Sequence, residues 1–413
     1  MIAELLAAQE ELSRRPVGEI LAALDRVTAR WLDHNDPIRR EAEAALAETT
    51  GLAPAMIRRG LDETMLRVRG IGDLLDQDLG SRLALDGFIR RAPGVLSRAY
   101  GPGLLVVVFA GNVPAVSAFD MALALALKSA CLARPAREEP AFAPLFARSV
   151  AEVDPLLGRC LAVQRWEHDE AWPYEQAGAV VVYGSDASVA AVRRLVPPGV
   201  RFIGHGHKIG FAVVAREAAT AETARRLALD VAMYDQQGCV SPHMAFVERG
   251  GPLSPRDFAA ACGQALAALE GEMPRSRLSP EEAMALRQAR DEAEFAADAL
   301  FASPDDLAWT VVHCEEAAFL PSPLNRLLRT FSVDDIAAVP ELVRPYRSYL
   351  QTVAFAGPSE RREALAEALG ALGISRVCPV GYAQQPSPLW RHDGRPTAGD
   401  LVRWVDIEEP PGP

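Results

Sequence analysis

Apolar positions recur at helical spacing through the amino-terminal part of the chain, as in RREAEAALAETT, PAMIRRGLDETMLRVRGI and LDGFIRRA, so residues 1 to about 95 read as helices with short breaks. At 104–110 the pattern changes. LLVVVFA is a continuous run of β-branched and aromatic residues, as in a strand buried on both faces. After GNVP come a helix, AFDMALALALKSA, a short strand, CLA, and a further helix beyond Arg134-Pro135. AGAVVVYGSD reads as a strand ending at Gly184-Ser185, followed by the helix ASVAAVRRL and by RFIGHGHKIGFAVV. Strands alternating with helices from 104 to about 214 predict a parallel, doubly wound α/β sheet. Its strand ends carry Gly, Asn and Ser, where such sheets bind ligands. A second α/β segment follows from 211 to about 384: FAVVA, a helix over 222–235, HMAFVE, helices around 255–300, LAWTVVH, YLQTVAFAG, the helix EALAEALGALG, and ISRVCPVG. The tail, RHDGRPTAGDLVRWVDIE, is mixed, and Pro410-Pro411-Gly412-Pro413 reads as a frayed end.

The most informative stretch is YDQQGCVSPH, 234–243. Gln236, Gln237 and Gly238 break the preceding helical pattern, Cys239 follows, and Pro242 opens the next strand. A cysteine in such a break is reachable by substrate, and amides freed there can donate to an oxyanion; the competing reading is a small buried hydrophobe. Asn112 ends the 104–110 strand either as an oxyanion donor or as a turn residue. Gly184 and Ser185 suit a pyrophosphate at a helix N-terminus, or serve as a plain cap. GHGHKIG, 204–210, runs into a strand rather than a helix, which is weak ground for a dinucleotide phosphate loop. His205, His207 and His243 show no HExxH spacing and no carboxylates at ligand intervals, so no metal site is predicted and the histidines read as site lining.

Composition narrows the function. The 413 residues are 49% hydrophobic and 24% charged, enough for two sizeable soluble domains. A net charge of -12 without a long basic block argues against nucleic acid or an anionic membrane surface as partner. Six cysteines without a CxxC argue against a disulfide framework or structural zinc and fit a reducing cytoplasm. MIAELLAAQEELSRR has no basic n-region and is not a signal peptide, and MALALALKSACLA is too short, and interrupted by Lys128, to span a bilayer.

In this order and spacing the pieces resemble the aldehyde dehydrogenase superfamily, and within it the LuxC-type acyl-CoA reductases, the fatty-acyl-CoA reductases of bacterial bioluminescence. The resemblance covers roughly residues 90–408 and rests most on YDQQGCVSPH, GHGHK, YGSD and HDG…LVRWVD. It implies an α/β, aldehyde dehydrogenase-like fold. A helical region (1–95) would be attached to a Rossmann-like nicotinamide-binding domain (96–210, with 385–413), and a catalytic α/β domain (211–384) would carry Cys239. It makes Cys239 the nucleophile and Asn112 its partner in the oxyanion hole. ARPAREEP, 133–140, matches a motif ordinarily written Lys-Pro-Ser/Ala-Glu. Arg134 then stands where a lysine contacts the adenosine ribose, and Arg137 where a glutamate binds the ribose hydroxyls. Gly184 and Ser185 cover the pyrophosphate.

Two departures are informative. An arginine at 137 can pair with a 2′-phosphate that a glutamate would repel, which points to NADPH, with NADH the alternative. Gly204 stands where hydrolytic relatives place a general-base glutamate, so water is poorly activated against an acyl-enzyme. The expectation is therefore an acyl-thioester reductase that makes an aldehyde through S-acyl-Cys239. His205 or His207 would protonate the departing thiol or line the site. The acyl donor would be acyl-CoA, an acyl carrier protein or an acyl-activating (acyl-protein) synthetase. An acyl-phosphate reductase, a simple aldehyde oxidiser and a non-catalytic docking subunit are the rivals. The family analogy implies a homo-oligomer.

Overall fold

A computed structural model describes residues 1–410; Pro411, Gly412 and Pro413, part of the tail read above as frayed, lie outside the described residues. The chain forms two compact units, one of Met1–Thr50, Ile57–Gly206 and the segment from Ser387 onward, the other of Gly51–Met56 and His207–Pro386.

The chain opens with α1 (Ile2–Ser13), α2 (Val17–Leu32), α3 (Pro37–Thr50), α4 (Pro54–Arg69) and α5 (Ile71–Leu79). Helix α2 shows why these form: Val17, Ile20, Ala23, Leu24, Val27 and Trp31 make one buried stripe at i, i+3, i+4 and i+7. The helical pattern does not run on to residue 95. A single helical turn at Arg82–Leu85 leads into LDGFIRRA, which itself becomes strand β1 (Ile89–Ala92), paired antiparallel with β2 (Val95–Tyr100). Three of the four β1 residues are exposed, so this edge strand carries no apolar alternation to distinguish it from a helix face.

The first unit's main sheet is built from β3 (Leu104–Val108), α6 (Ser117–Ala126), β4 (Ala130–Arg134), α7 (Phe142–Val153), α8 (Pro155–Arg159), β5 (Leu161–Val163), β6 (Ala179–Tyr183), α9 (Asp186–Leu195) and β7 (Arg201–His205). Its five strands are all parallel, in the order β5-β4-β3-β6-β7. The β3 run LLVVV is buried at every position, because helices cover both faces of a parallel sheet.

In RFIGHGHKIGFAVV the sheet changes: β7 closes the first sheet and β8 (Ile209–Val214) opens the second. The second unit continues with α10 (Ala221–Ala232), β9 (Pro242–Glu248), α11 (Pro255–Glu272), α12 (Pro280–Ala296), β10 (Ala299–Ala302), β11 (Thr310–Cys314), β12 (Leu327–Val333), α13 (Val339–Val343), β13 (Leu350–Ala356), α14 (Ser359–Gly370) and β14 (Arg376–Pro379). Seven strands lie in the order β10-β11-β12-β9-β8-β13-β14, parallel except for β10. One face buries Val214, Leu227, Phe258 and Leu266; the other buries Phe211, Phe246, Val353 and Leu369. The mixed tail contains one further strand, β15 (Arg403–Glu408), which pairs with β2 in the small sheet β1-β2-β15. No helix among the described residues is long and apolar enough to cross a membrane.

Candidate active site

Cys239 lies in the turn between α10 and β9, at the amino edge of the second sheet, and it is the exposed cysteine of the six. Cys131, Cys160, Cys262 and Cys378 are buried, and burial pushes their thiols up, Cys378 to about 11 and Cys160 to about 12. Half-buried Cys314 shifts the same way for the same reason. A thiol held protonated is a poor nucleophile, which sets Cys239 apart from the others by position.

The turn reaches Cys239 through strained backbone. Tyr234, Asp235 and Gln236 have φ of 53°, 49° and 67°. Three successive non-glycine residues in the left-handed region cost roughly 1–2 kcal/mol each and persist only where surrounding contacts hold them. A second run, Leu324, Asn325 and Arg326 with φ of 67°, 56° and 64°, provides those contacts. The Asn325 N–H donates to Asp235 O at 3.0 Å, and Arg326 Nε donates to Asp235 Oδ1 at 2.8 Å. Ser276 donates to the other Asp235 oxygen through its N–H (3.0 Å) and hydroxyl (2.5 Å). Arg326 also donates to Glu270 Oε2 and Met273 O, each at 2.8 Å. Arg326 and Asp235 are both buried, so each charge depends on the other for the solvation it has lost. Gln236 Nε2 donates to Pro242 O (2.7 Å) and Leu327 O (3.1 Å), tying the start of the turn to its end.

On the other side, Gly238 and Gly210 allow close approach. A Cβ at Gly238 would lie 2.7 Å from Gln384 Oε1, and one at Gly210 would lie 2.7 Å from Ser241 O. Gln384 Nε2 donates to Ser241 Oγ at 2.6 Å and Asp230 O at 3.2 Å, and the Asp230 carboxylate accepts the N–H of Gly381 (2.6 Å) and Ala383 (2.9 Å). His243, near the start of β9, is buried with Nδ1 unpartnered, and burial together with the charge of His207 holds it down to about 4. His207 also meets the Tyr349 ring edge-on at 6.3 Å.

The other predicted residues gather on the first unit's sheet. Strands β3 and β6 are neighbours, and the chain winds from β3 to β4 and β5 on one side, then to β6 and β7 on the other. This is the topological switch point, where such sheets bind ligands beyond the carboxyl ends of their strands. Asn112 is exposed in the loop after β3, in which Ala115 has φ 67°. Gly184 and Ser185 follow β6; the exposed Ser185 accepts the Ser188 N–H at 3.2 Å and caps α9. Arg134, at the end of β4, donates to Trp166 O at 3.0 Å and lies over the Trp166 ring, while Arg137 is exposed. Ser117 Oγ, buried and unpartnered, lines a small cavity with Phe109, Val113, Ala136 and Glu139. Burial pushes the Glu139 carboxyl up to about 7 although it accepts the N–H of Ala141 and Phe142.

His205 ends β7. Its Nδ1 lies 2.7 Å from Asp393 Oδ2, and its ring forms a cluster of near-parallel rings with Tyr183 (4.8 Å) and His392 (4.1 Å). Tyr183 donates from its hydroxyl to Asp120 at 3.0 Å, and burial holds the Asp120 carboxyl up at about 6. The ligand atoms of His205, His392 and Asp393 lie within 4.8 Å of one another, but the two imidazoles are only 7° from parallel. Lone pairs confined to two separate, nearly parallel planes cannot both point at one shared ion, so the arrangement is a stack and not a coordination sphere.

The structure thus places Asn112, Arg134, Gly184, Ser185 and His205 on one sheet edge, and Cys239 with His207 in the second unit. Asp235, Arg326, Asn325, Asp230 and Gln384 escaped the sequence reading. The one local sign was the polar run Asp235-Gln236-Gln237 ending an otherwise apolar helix, and it pointed to Asp235 alone.

Residues 12–404 match the family model for acyl-CoA reductase (LuxC). The chain is 22% identical over 404 residues to a long-chain acyl-protein thioester reductase of Vibrio harveyi, covering 95% of this chain and 83% of that protein. It is 25% identical over 405 residues to the reductase of the same name from Aliivibrio fischeri, with the same coverage. Among solved structures it resembles the AldC aldehyde dehydrogenase of Pseudomonas syringae, in complex with NAD+ and octanal (TM-score 0.78, 13% identity, 98% of this chain and 87% of that one). It also resembles an NAD-dependent benzaldehyde dehydrogenase of Corynebacterium glutamicum (TM-score 0.73, 16% identity, the same coverage). The fold is that of the aldehyde dehydrogenases, and the chain belongs to the acyl-CoA reductase (LuxC) family, as a fatty acyl reductase of the acylating aldehyde dehydrogenase type.

Proposed function

We propose that the protein reduces acyl thioesters to aldehydes with NADPH through an acyl group carried on Cys239. The observation that supports this most is the exposed Cys239 thiol at the end of a strained turn, held by a buried Asp235–Arg326 pair. The Cys239 thiolate attacks the thioester carbonyl, a new C–S bond forms, and the donor's C–S bond breaks. Asn112 and the Cys239 amide donate to the oxyanion. His205, its Nδ1 engaged by Asp393, protonates the departing thiolate from Nε2. His207, beside His243 and Tyr349, is the second candidate for that proton.

The switch-point edge suits a nicotinamide dinucleotide: the Gly184-Ser185 turn, exposed at Ser185, heads a helix N-terminus, and the orphaned Ser117 hydroxyl lies at the same edge. Gly184, Ser185 and Arg134 would hold the dinucleotide, which when bound supplies the hydride that takes the acyl group to the aldehyde level. Arg137, exposed and without a hydrogen bond or ion pair among the described residues, favours a 2′-phosphate and hence NADPH over NADH. Gly204 supports reduction over hydrolysis. A Cβ there would lie 2.5 Å from Val189 Cγ1, which leaves no room for a general-base side chain.

Acyl-CoA is the simplest donor. The acyl-protein substrates named for the bioluminescence relatives extend the reading to acyl groups delivered by a carrier protein or an acyl-activating synthetase. The test is intact-protein mass spectrometry after incubation with a panel of acyl-CoAs, without nicotinamide, beside Cys239→Ala. A mass gain equal to the acyl group on wild type alone is expected. Equal acylation of Cys239→Ala would remove the nucleophile assignment. No acylation at any chain length would move the donor from CoA to a protein-bound acyl group.

A further inference from the structure

Arg376, the first residue of β14, is not part of the sequence motif around Cys239, yet it organises the loop that packs on it. Nη1 donates to Ala383 O at 2.5 Å, and Nη2 donates to Tyr382 O at 2.7 Å and Gln385 O at 3.1 Å. One guanidinium thus gathers three carbonyls of residues 382–385. From the opposite side the buried Asp230 carboxylate gathers the Gly381 and Ala383 amides. A loop held at both its carbonyls and its amides has little freedom left, and its Gln384 side chain bonds Ser241 and abuts Gly238, the residue before the nucleophile.

The guanidinium's three hydrogen bonds to loop 382–385 end on neutral carbonyls. Burial disfavours its charge, while the charges of Cys378, Asp230 and Cys239 support it. An interaction between two charges is shared: a cation supported by the Cys239 thiolate supports that thiolate equally. The other charged or titratable groups around the turn are dispersed or already engaged. Asp235 is paired with Arg326, and Glu270 with Arg326. Glu282 accepts from Gln237 and Asn325. His243 is held neutral, His207 lies against it, Lys208 donates to Ser348 O, and Tyr234 donates its N–H to Met56 Sδ.

We propose that Arg376 is a positioning residue for the acyl-transfer step, fixing loop 382–385 against the Cys239 turn and stabilising the Cys239 thiolate with its charge. This rests on Cys239 being the nucleophile.

The test is the pH dependence of Cys239 alkylation by iodoacetamide, with the modified residue identified by peptide mapping, in the absence of any acyl donor or nicotinamide. Arg376→Gln should move the midpoint up by about one pH unit. Arg376→Lys keeps the charge but cannot bridge three carbonyls, so it should keep the midpoint near that of wild type while lowering kcat with an unchanged thiolate. Gln384→Ala, which loosens the loop and leaves the charge in place, should leave the midpoint where it is. An unmoved midpoint in a folded Arg376→Gln protein would overturn the electrostatic role. Should that variant not fold, a midpoint in Arg376→Lys raised as far as one pH unit would overturn it instead. Because alkylation is read without acyl donor, these outcomes are separate from failure of Cys239 to acylate, which would sink the functional reading itself.

Discussion

The Cys239 turn and the switch-point edge of the first unit are built on opposite plans. The turn is over-determined: two runs of left-handed residues, a buried ion pair and at least five side-chain hydrogen bonds from distant segments hold it in one conformation. The switch-point edge is exposed at Asn112, Arg137 and Ser185, Ser185 caps its own helix, and the longer-range contacts of the edge hold His205, Tyr183 and Arg134 rather than these exposed positions. A covalent nucleophile must present one atom along one approach line, and small displacements are costly there. A surface for a large, partly solvated ligand gains more from accessible donors than from rigidity. The difference teaches that strain in this protein is concentrated where a bond is made.

That contrast breaks first at Arg326. Arg326→Met leaves Asp235 buried without its cation and frees the left-handed run before Cys239. Removing one partner of a buried pair typically costs about 3–5 kcal/mol. The expected result is a drop of that size in unfolding free energy, with Cys239 acylation lost at temperatures where the protein is still folded. A loss of less than 1 kcal/mol by denaturant titration would show that the turn does not depend on this pair.

The two regions should also respond oppositely to pH. His243 is held near 4 against an ordinary 6.5, so between those values the unfolded chain binds the proton more readily. Stability should therefore rise as pH rises from 4 to 6.5, by about 3 kcal/mol. Glu139 is held near 7 against an ordinary 4.5, so the folded chain binds the proton more readily, and stability should fall by a similar amount as pH rises from 4.5 to 7. In wild type the rise from His243 is opposed by Glu139 and also by Asp120, which burial holds near 6. Relative to wild type, His243→Leu should make the unfolding free energy fall more steeply with pH, and Glu139→Gln should make it fall less steeply. Profiles unchanged from wild type in both variants would show that neither burial governs titration.

At the switch-point edge, Asn112→Ala should slow turnover about a hundredfold, the usual worth of one oxyanion donor, with thermal stability unchanged because the side chain is exposed. A loss below about threefold would remove Asn112 from the oxyanion role.

What was legible in the sequence follows the same division. The doubly wound sheet shows in LLVVV and AVVVY because a strand buried on both faces has a continuous apolar signature. The break before Cys239 shows because Gln-Gln-Gly ends a periodic helix. The supports of that break do not show. Asp235 and Arg326 are 91 residues apart, and neither Tyr234 nor Gln236 is a residue type that announces positive φ. Strand β12, LLRTFSV, went unread because Arg329 and Thr330 interrupt its apolar run, although Thr330 is buried beside His313, which it meets at 3.0 Å. Local pattern encodes elements. The long-range polar contacts that aim a nucleophile have no local pattern to encode them.

The smallest expected effect tests the looser region where its proposed ligand is most specific. Arg137 is exposed and flanked by exposed Glu138, so its guanidinium can pair with a 2′-phosphate without displacing another partner. Arg137→Glu should lower kcat/KM for NADPH about tenfold and leave that for NADH within a factor of about two, since an exposed charge pair is worth only about 1 kcal/mol. Raising salt should erase most of the wild-type preference and none of what remains in the variant, because only the 2′-phosphate contact is screened. Equal losses with both cofactors would instead place Arg137 against the part of the dinucleotide that NADH and NADPH share, and the preference would then have to come from a residue with stronger contacts.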